Sequence, residues 1–463
     1  MAGLPPLLLL STVLIACVGD PDSPLGSATD DSGDTQPTNG SRYADSLDWR
    51  LHDDIGSMVI VSWEQKLPAT MHVEYSFDDG DWLQTPPRSF GLGHAEQLVV
   101  GIPFGTDARW RVVADDGEAA DGAMITTAPL PTGLPEGEVR VSRPDAWQPE
   151  DRYLLTSINQ ETGGWHSGTY WTIIIDRQGR TVWAHPAPDH HWTLFAQVSQ
   201  DGRTILWDEA TYWADYDGGA GSSVHRTYLD EEIDEIATPG LHHSFVQLPD
   251  GQTLVWGSQY HGGGEALVER TIGDDEERVL WTAADDWPGV DDCESNGLFY
   301  DAETDTFLYS FYTNSSIVSV DHKTGRSLWW AGTVPDGYAF DPELSQFDWQ
   351  HGISYTADRT LLVSTRAYGK TGNTTMVREY EVDADHATLR EVWSYDPHIH
   401  ATTNGDAWRL DNGNTLHLLG SAGQVVEVDP DGEFVWQVDF NGTYLLGRGE
   451  YIDDLYSLVS PQG

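Results

Sequence analysis

Short runs of alternating apolar and polar residues recur along the chain, and no long stretch carries apolar residues at helical spacing. The first set comprises SMVIVSW, MHVEYSF, AEQLVVG and ARWRVVAD, divided by Gly, Asp and Pro. Period-two alternation buries one face of each strand, so residues 46–131 are expected to form a small two-sheet sandwich. Beyond it the pattern repeats. A turn followed by a short strand ending in tryptophan occurs as DRQGRTVW (Trp183), GDDEERVLW (Trp281), DHKTGRSLW (Trp329), ATLREVW (Trp393) and DPDGEFVW (Trp436). Trp183 and Trp281 lie 98 residues apart, about twice the next interval of 48, and LDEEIDEIA (229–237) fills the gap without its Trp. That makes six copies.

A second piece alternates with the first: QDGRTILW, PDGQTLVW, ETDTFLYS, ADRTLLVS and DNGNTLHL. Two hairpins in each unit of roughly 50 residues make a four-stranded blade. A lone blade cannot bury both faces, so six of them are expected to stack around an axis. The fold class expected is therefore all-β, a six-bladed β-propeller over 138–463 preceded by the sandwich. Uneven later intervals of 64 and 43 residues predict insertions between blades.

Composition agrees with this picture, since 47 Gly and 24 Pro suit a turn-rich β protein. With 24 basic against 75 acidic side chains the net charge is −51, which excludes a nucleic-acid partner and repels anionic lipid. An anionic substrate must be drawn in by a local positive site. The N-terminus, MAGLPPLLLLSTVLIAC, is an apolar run of signal-peptide length, too short for a membrane span. Its LIAC ending resembles a bacterial lipobox, which implies a lipoprotein signal over 1–16, a lipidated Cys17, and a lipid anchor in the cell envelope. Residues 17–45 are acidic and rich in Gly, Pro and Ser, the composition of a disordered tether. With Cys17 acylated, Cys293 has no partner for a disulfide.

Four polar stretches stand directly before the second piece of their blades: GLHHSFVQLPDG, DDCESNGLFYD, DWQHGISY and HATTNGDAWRLDNGN. Equivalent places in successive blades face one another around the axis, so these stretches are the candidate site. His398 and His400 have metal-like spacing but no third ligand in the sequence, and neither a metal nor a cofactor is expected.

Two resemblances follow. The order of strands over 46–131 resembles a fibronectin type III domain. Over roughly 150–460, HHSFVQLPDGQTLVWG, the Asn and Tyr-Asp block running into TFLYSFYTNSSIVSVDHKTGRSLWWAG, the Gln-His pair and GDAWRLDNGNTL resemble the bacterial arylsulfotransferase family. That resemblance implies a histidine that attacks the sulfur of an aryl sulfate, is transiently sulfated, and passes the group to a phenol. The partners implied are a small aromatic sulfate ester and a phenol.

Residue by residue, the attacking histidine falls on His351, after Gln350. The family's first active-site histidine falls on His243 or His242, its Asn on Asn296, and its threonine pair on Thr402 and Thr403. Two positions depart: the family's His is Glu294 and its Arg is Tyr312. A carboxylate aimed at a sulfuryl group repels it by ~1–4 kcal/mol in partly wet surroundings. Arg366 occupies the slot equivalent to Tyr312 in the next blade, which places the missing guanidinium there. The competing reading is a propeller that keeps the scaffold without the chemistry and serves as an anchored binding module. A quinoprotein-type propeller fits less well, because the six units and the HH and QH pieces do not suit it.

Overall fold

The computed structural model describes residues 40–160, 168–188, 191–211, 219–259, 264–290, 293–367, 374–403, 405–440 and 443–461. The expected signal sequence, Cys17 and most of the acidic tether lie outside these residues. Asn39–Gly463 form one compact unit.

The chain enters at the strand Ala44–Leu51, which pairs with Val59–Gln65 and through it with Gly93–Val99. A second sheet runs Leu83–Gln84, Ala69–Phe77, Asp107–Ala114 and Ala119–Asp121. Alternation decides which side chains face inward. Val59, Val61, Trp63, Met71, Val73, Tyr75, Trp110 and Val112 are all buried between the sheets, and most of their chain neighbours are more exposed.

The sandwich packs on the first blade of the larger domain. Ile55, Met58, Leu98 and Val100 share a core with Leu155, Ile174 and Trp183, and the Ser57 hydroxyl donates to the Val182 carbonyl at 2.7 Å. The short helix Leu455–Leu458 at the C-terminal end wedges Leu455 and Leu458 into the same cluster.

The larger domain is a β-propeller of six antiparallel blades. Blade 2 (Ala196–Val198, Ile205–Glu209, Ser223–Thr227, Glu232–Ala237) and blade 3 (Leu241–Gln247, Thr253–Ser258, Ala266–Thr271, Arg278–Thr282) run outward in chain order. Blade 4 (Ser295–Asp301, Thr306–Phe311, Ser316–Asp321, Ser327–Gly332), blade 5 (Ile353–Tyr355, Leu361–Ala367, Thr374–Asp383, Thr388–Tyr395) and blade 6 (Asp406–Arg409, Thr415–Leu419, Gln424–Val428, Phe434–Phe440) do the same. Blade 1 closes the ring. Its inner strand, Thr443–Ile452, comes from the C-terminal end and pairs with Tyr153–Gln160, which is followed by Tyr170–Asp176 and Thr181–Pro186. Gly137–Ser142 adds an outer strand to blade 6, and Ala339–Asp341 lies parallel to the outer strand of blade 5.

The two sequence repeats are the second and fourth strands of the blades. Each Trp-ending piece is the fourth strand of its blade, and most of its tryptophans are tied to the following blade. The Trp183 indole donates to the Leu229 carbonyl (2.9 Å), Trp281 to the Ser327 hydroxyl (3.0 Å), and Trp436 to the Arg177 carbonyl (2.9 Å). Arg409 lies over the Trp393 ring at 4.4 Å. Blade 2, which lacks the Trp, instead buries Ile236 with Phe245 and Trp256 of blade 3. Closure is held by a buried ion pair, with Arg177 of the blade 1 hairpin donating to Glu427 of blade 6 at 2.7 Å.

Candidate active site

All four polar stretches lead into innermost strands, and the inner strands of blades 3 to 6 are neighbours around the axis. Close backbone approach brings them together. A Cβ on Gly297 would stand 2.5 Å from the His351 carbonyl oxygen, and one on Gly352 would stand 2.6 Å from the Asp406 Cα. Only glycine fits at these two places. The segment before blade 5's inner strand pairs with that blade's second strand: the His351 N–H donates to the Ser364 carbonyl at 3.0 Å and the Arg366 N–H to the Asp348 carbonyl at 2.9 Å. That register sets Arg366 and His351 on one small pocket, with Thr402, Thr403 and Trp349.

His351 is buried, and its Nδ1 lies 3.2 Å from the Trp349 carbonyl. A carbonyl only accepts, so Nδ1 carries the proton and Nε2 carries the lone pair. Burial pulls the imidazole pKa down to about 4. The Trp349 carbonyl opposes the shift, and the nearby Arg366 and Arg448 guanidiniums add to it. The ring is therefore neutral near pH 7, the form of a nucleophile.

Trp349 is 37% exposed and adopts a left-handed backbone, φ 46°. A left-handed bulky residue is strained, and such strain persists where the surroundings hold a functional geometry. Arg366 lies over its ring at 4.3 Å and donates from its guanidinium to the Thr402 carbonyl. Tyr312 stands 5.7 Å from Trp349 and 6.1 Å from His351, nearly parallel to the imidazole. The result is an aromatic wall beside His351. The pocket itself has a volume of only about 10 Å³ in this structure, so the aryl part of a ligand is left to that wall. Larger clefts lie away from this chemistry, among them one of about 430 Å³ between sandwich and blade 1 and one of about 340 Å³ between blades 2 and 3.

His243 and His242 sit on blade 3's inner strand and take different parts. His243 faces Tyr312 with ring centroids 5.8 Å apart, and burial, then the neighbouring His242 and His351, hold its pKa well below the ordinary histidine value. His242 lies behind it, fully buried, with Nδ1 2.6 Å from the His243 Nδ1. Its Nε2 is 3.3 Å from a carboxylate oxygen of Glu265.

Glu294 and Tyr312 bond one another, the phenol donating to the carboxylate. The hydroxyl thus caps part of the negative charge that Glu294 brings to the site. Asn296 and Gln350 are behind the pocket. The Asn296 amide nitrogen donates to the Gln350 carbonyl and its oxygen accepts from Ser310, whereas the Gln350 nitrogen serves Ser310 and the carbonyls of Phe311 and Ser316. Both are buried, and their hydrogen bonds tie the backbone next to His351 to blade 4. Thr402 shares hydrogen bonds with Ser421 (2.6 and 2.9 Å), and the buried Thr403 hydroxyl has no hydrogen-bond partner among the described residues.

Three residues escaped the sequence reading. Trp349 was quoted but not weighed. Glu265 immediately precedes a third strand, Ala266–Thr271, where neither repeat falls. Arg448 lies on the closing strand, which precedes no second repeat; it is buried, and its Nε is 3.3 Å from Asp406. Away from this site, His398 is exposed near Asp396, and no group of three or more His, Cys, Asp or Glu arranged for a metal occurs among the described residues.

Residues 296–441, about a third of the chain, match the model of the arylsulfotransferase (ASST) family. The matched stretch contains Asn296, Tyr312, Gln350, His351, Arg366, Thr402 and Thr403. No curated protein matches the chain. Similar solved structures include a Bacteroides caccae protein of unknown function, 14% identical with a TM-score of 0.43, covering 64% of this chain and 98% of that one. TolB from Acinetobacter baumannii is 10% identical with a TM-score of 0.43, covering 75% of this chain and 80% of that one. The β-propeller domain of Cps50 (Swd1) from Myceliophteria thermophila is 14% identical with a TM-score of 0.38, covering 65% and 86%.

Proposed function

We propose that this protein transfers a sulfuryl group from an aryl sulfate to a phenolic acceptor through a sulfated His351. The observation that carries the reading is the buried His351 imidazole, whose Nδ1 is committed to the Trp349 carbonyl and whose Nε2 is left as the nucleophile. Attack by Nε2 on sulfur displaces the donor phenolate, and the acceptor phenol then takes the group from the nitrogen, so one hard transfer becomes two easier ones. Arg366, with Arg448 deeper in, supplies positive charge for the sulfuryl oxygens. Trp349 and Tyr312 receive the aromatic ring. His243 is the group that exchanges a proton with the phenolic oxygen. A lipidated Cys17 would hold the domain at a membrane of the bacterial cell envelope, with residues 17–45 as tether and the sandwich as a fibronectin type III-like spacer.

The experiment is turnover of 4-nitrophenyl sulfate by the chain lacking residues 1–39, with and without an acceptor phenol, beside His351→Asn. Acceptor-stimulated release of 4-nitrophenol that disappears in the variant is the expected result. The Glu294–Tyr312 pair favours a second reading, an anchored binding module, because it puts a carboxylate where the family has a cation. Absence of turnover with every aryl sulfate tried, together with retained binding of an aromatic ester, would select it.

A further inference from the structure

Glu265 is a carboxylate with no solvent exposure, and its surroundings are built for it. It accepts from the Ser295 N–H (3.3 Å), the Ser295 hydroxyl (2.8 Å) and the Tyr309 hydroxyl, and it stands 3.3 Å from the His242 Nε2. Burial alone would push its pKa up, but His242, Tyr309 and Ser295 outweigh burial and hold it below the usual glutamate value. Three of those four contacts are with neutral donors. A fully buried charge is tolerated when it is paired with an opposite one, and His242 is the cation-forming neighbour in contact with it. His242 in turn touches His243 through Nδ1, and His243 faces Tyr312 beside His351.

We propose that Glu265, His242 and His243 form a proton relay that stores the proton exchanged between the two half-reactions, with Glu265 and His242 as positioning residues and His243 as the residue that meets the phenol. The proposal rests on the sulfuryl-transfer reading of His351.

In the loaded relay His242 carries protons on both nitrogens. Nε2–H donates to Glu265, Nδ1–H donates to the His243 Nδ1, and the His243 Nε2 bears a proton. In the first half-reaction the S–O bond to the donor phenol breaks as the bond between sulfur and the His351 Nε2 forms. The departing phenolate oxygen takes the proton from the His243 Nε2, and the proton on the His242 Nδ1 passes to the His243 Nδ1. His242 is then neutral and still donates to Glu265. In the second half-reaction the acceptor phenol returns a proton to the His243 Nε2, the Nδ1 proton goes back to His242, and the phenol oxygen takes the sulfuryl group. His351 is freed, and no proton enters or leaves over the cycle.

The relay matters most for a phenol that leaves badly as an anion. The test is therefore a series of donors from 4-nitrophenyl sulfate to unsubstituted phenyl sulfate, assayed with wild type and Glu265→Gln. The substituted amide keeps the shape but cannot hold a cationic His242. Turnover of phenyl sulfate is expected to fall by about 100-fold, within the range of general acid catalysis, while 4-nitrophenyl sulfate changes by less than about 3-fold. Equal losses across the series, or no loss, would overturn the proposal. Nitrogen-15 NMR of the labelled imidazoles, assigned through His242→Asn, gives a readout that needs neither turnover nor the Gln variant. Protons on both His242 nitrogens at neutral pH in wild type are expected, and a singly protonated ring refutes the relay. A wild type inert to all aryl sulfates but with a doubly protonated His242 would refute the transfer reading and leave the ion pair standing.

Discussion

Neutral burial of His351 has a price in acid stability that can be measured without any substrate. The folded protein holds this imidazole down to about 4, against an ordinary value of 6.5. A base with a depressed folded value binds its proton more readily unfolded, so stability is full above about pH 6.5 and drains away as pH falls toward 4. At pH 5 the unfolded imidazole is almost fully protonated and the folded one is mostly neutral, which destabilises the fold by about 2 kcal/mol relative to pH 7. His351→Gln removes the titrating group and keeps a side chain of similar polarity. Urea unfolding at pH 7 and pH 5 then reports the loss in each protein. Protonation of the many carboxylates affects both alike and cancels in the difference, as does that of the buried His417, whose value is lowered in the same sense. Wild type is expected to lose about 2 kcal/mol more than the variant over that interval. Equal losses would refute the reasoning, because His351 would then be solvated or charged in the folded state, and a ready nucleophile at neutral pH would lose its physical basis.

Glu294→Gln removes a like charge from the pocket, and tighter binding of an aryl sulfate is expected, by ~1–4 kcal/mol at contact distances; an unchanged KM would place Glu294 away from the sulfuryl group. Arg366→Met takes away a guanidinium that stacks on Trp349, and kcat/KM for 4-nitrophenyl sulfate is expected to fall about 100-fold or more. Glu427→Gln leaves Arg177 buried without its anion at the blade 1–blade 6 seam, and urea unfolding is expected to show a loss of about 3–5 kcal/mol with the site chemistry intact.

The ring of blades was open to reading because its signals are local. A polar turn feeding a strand, or a strand closing on Trp, is written within eight or nine residues, and the Trp recurs because its indole reaches the neighbouring blade. Register then placed HHSF, ESN, QH and the threonine pair around one axis. What that register could not say is which way each side chain points. Glu294, His351, Thr402 and Thr403 precede their strands, where the two-residue period does not apply. Asn296, near the start of its strand, and Gln350, ahead of its own, look like ligand residues in sequence and are bonded to one another and to Ser310 in the buried layer next to His351. Glu265 and Arg448 were invisible for another reason. Glu265 reaches the site from just before a third strand and Arg448 from the closing strand, both outside the motif-bearing series, and nothing short of the closed ring brings them there.

The same closure resolves the conflict between a surface charge of −51 and an anionic substrate. Exposed carboxylates farther than a Debye length, about 8–10 Å at moderate salt, are largely screened at the pocket. A guanidinium at 4 Å acts with about 4 kcal/mol in partly buried surroundings. Contact charges therefore dominate holding, and distant ones mainly slow the approach. Within contact range the balance is set by few groups: Arg366 over Trp349, Arg448 partly offset by Asp406, and Glu294 capped by Tyr312. In the proposed reading the cation expected in blade 4 is replaced from blade 5 and from the closing strand. Two neutral histidines, His351 and His243, leave that positive charge uncontested by carrying none of their own. The Arg448 Nη1 has no hydrogen-bond partner among the described residues, so one buried donor beside the nucleophile keeps its capacity for an oxyanion.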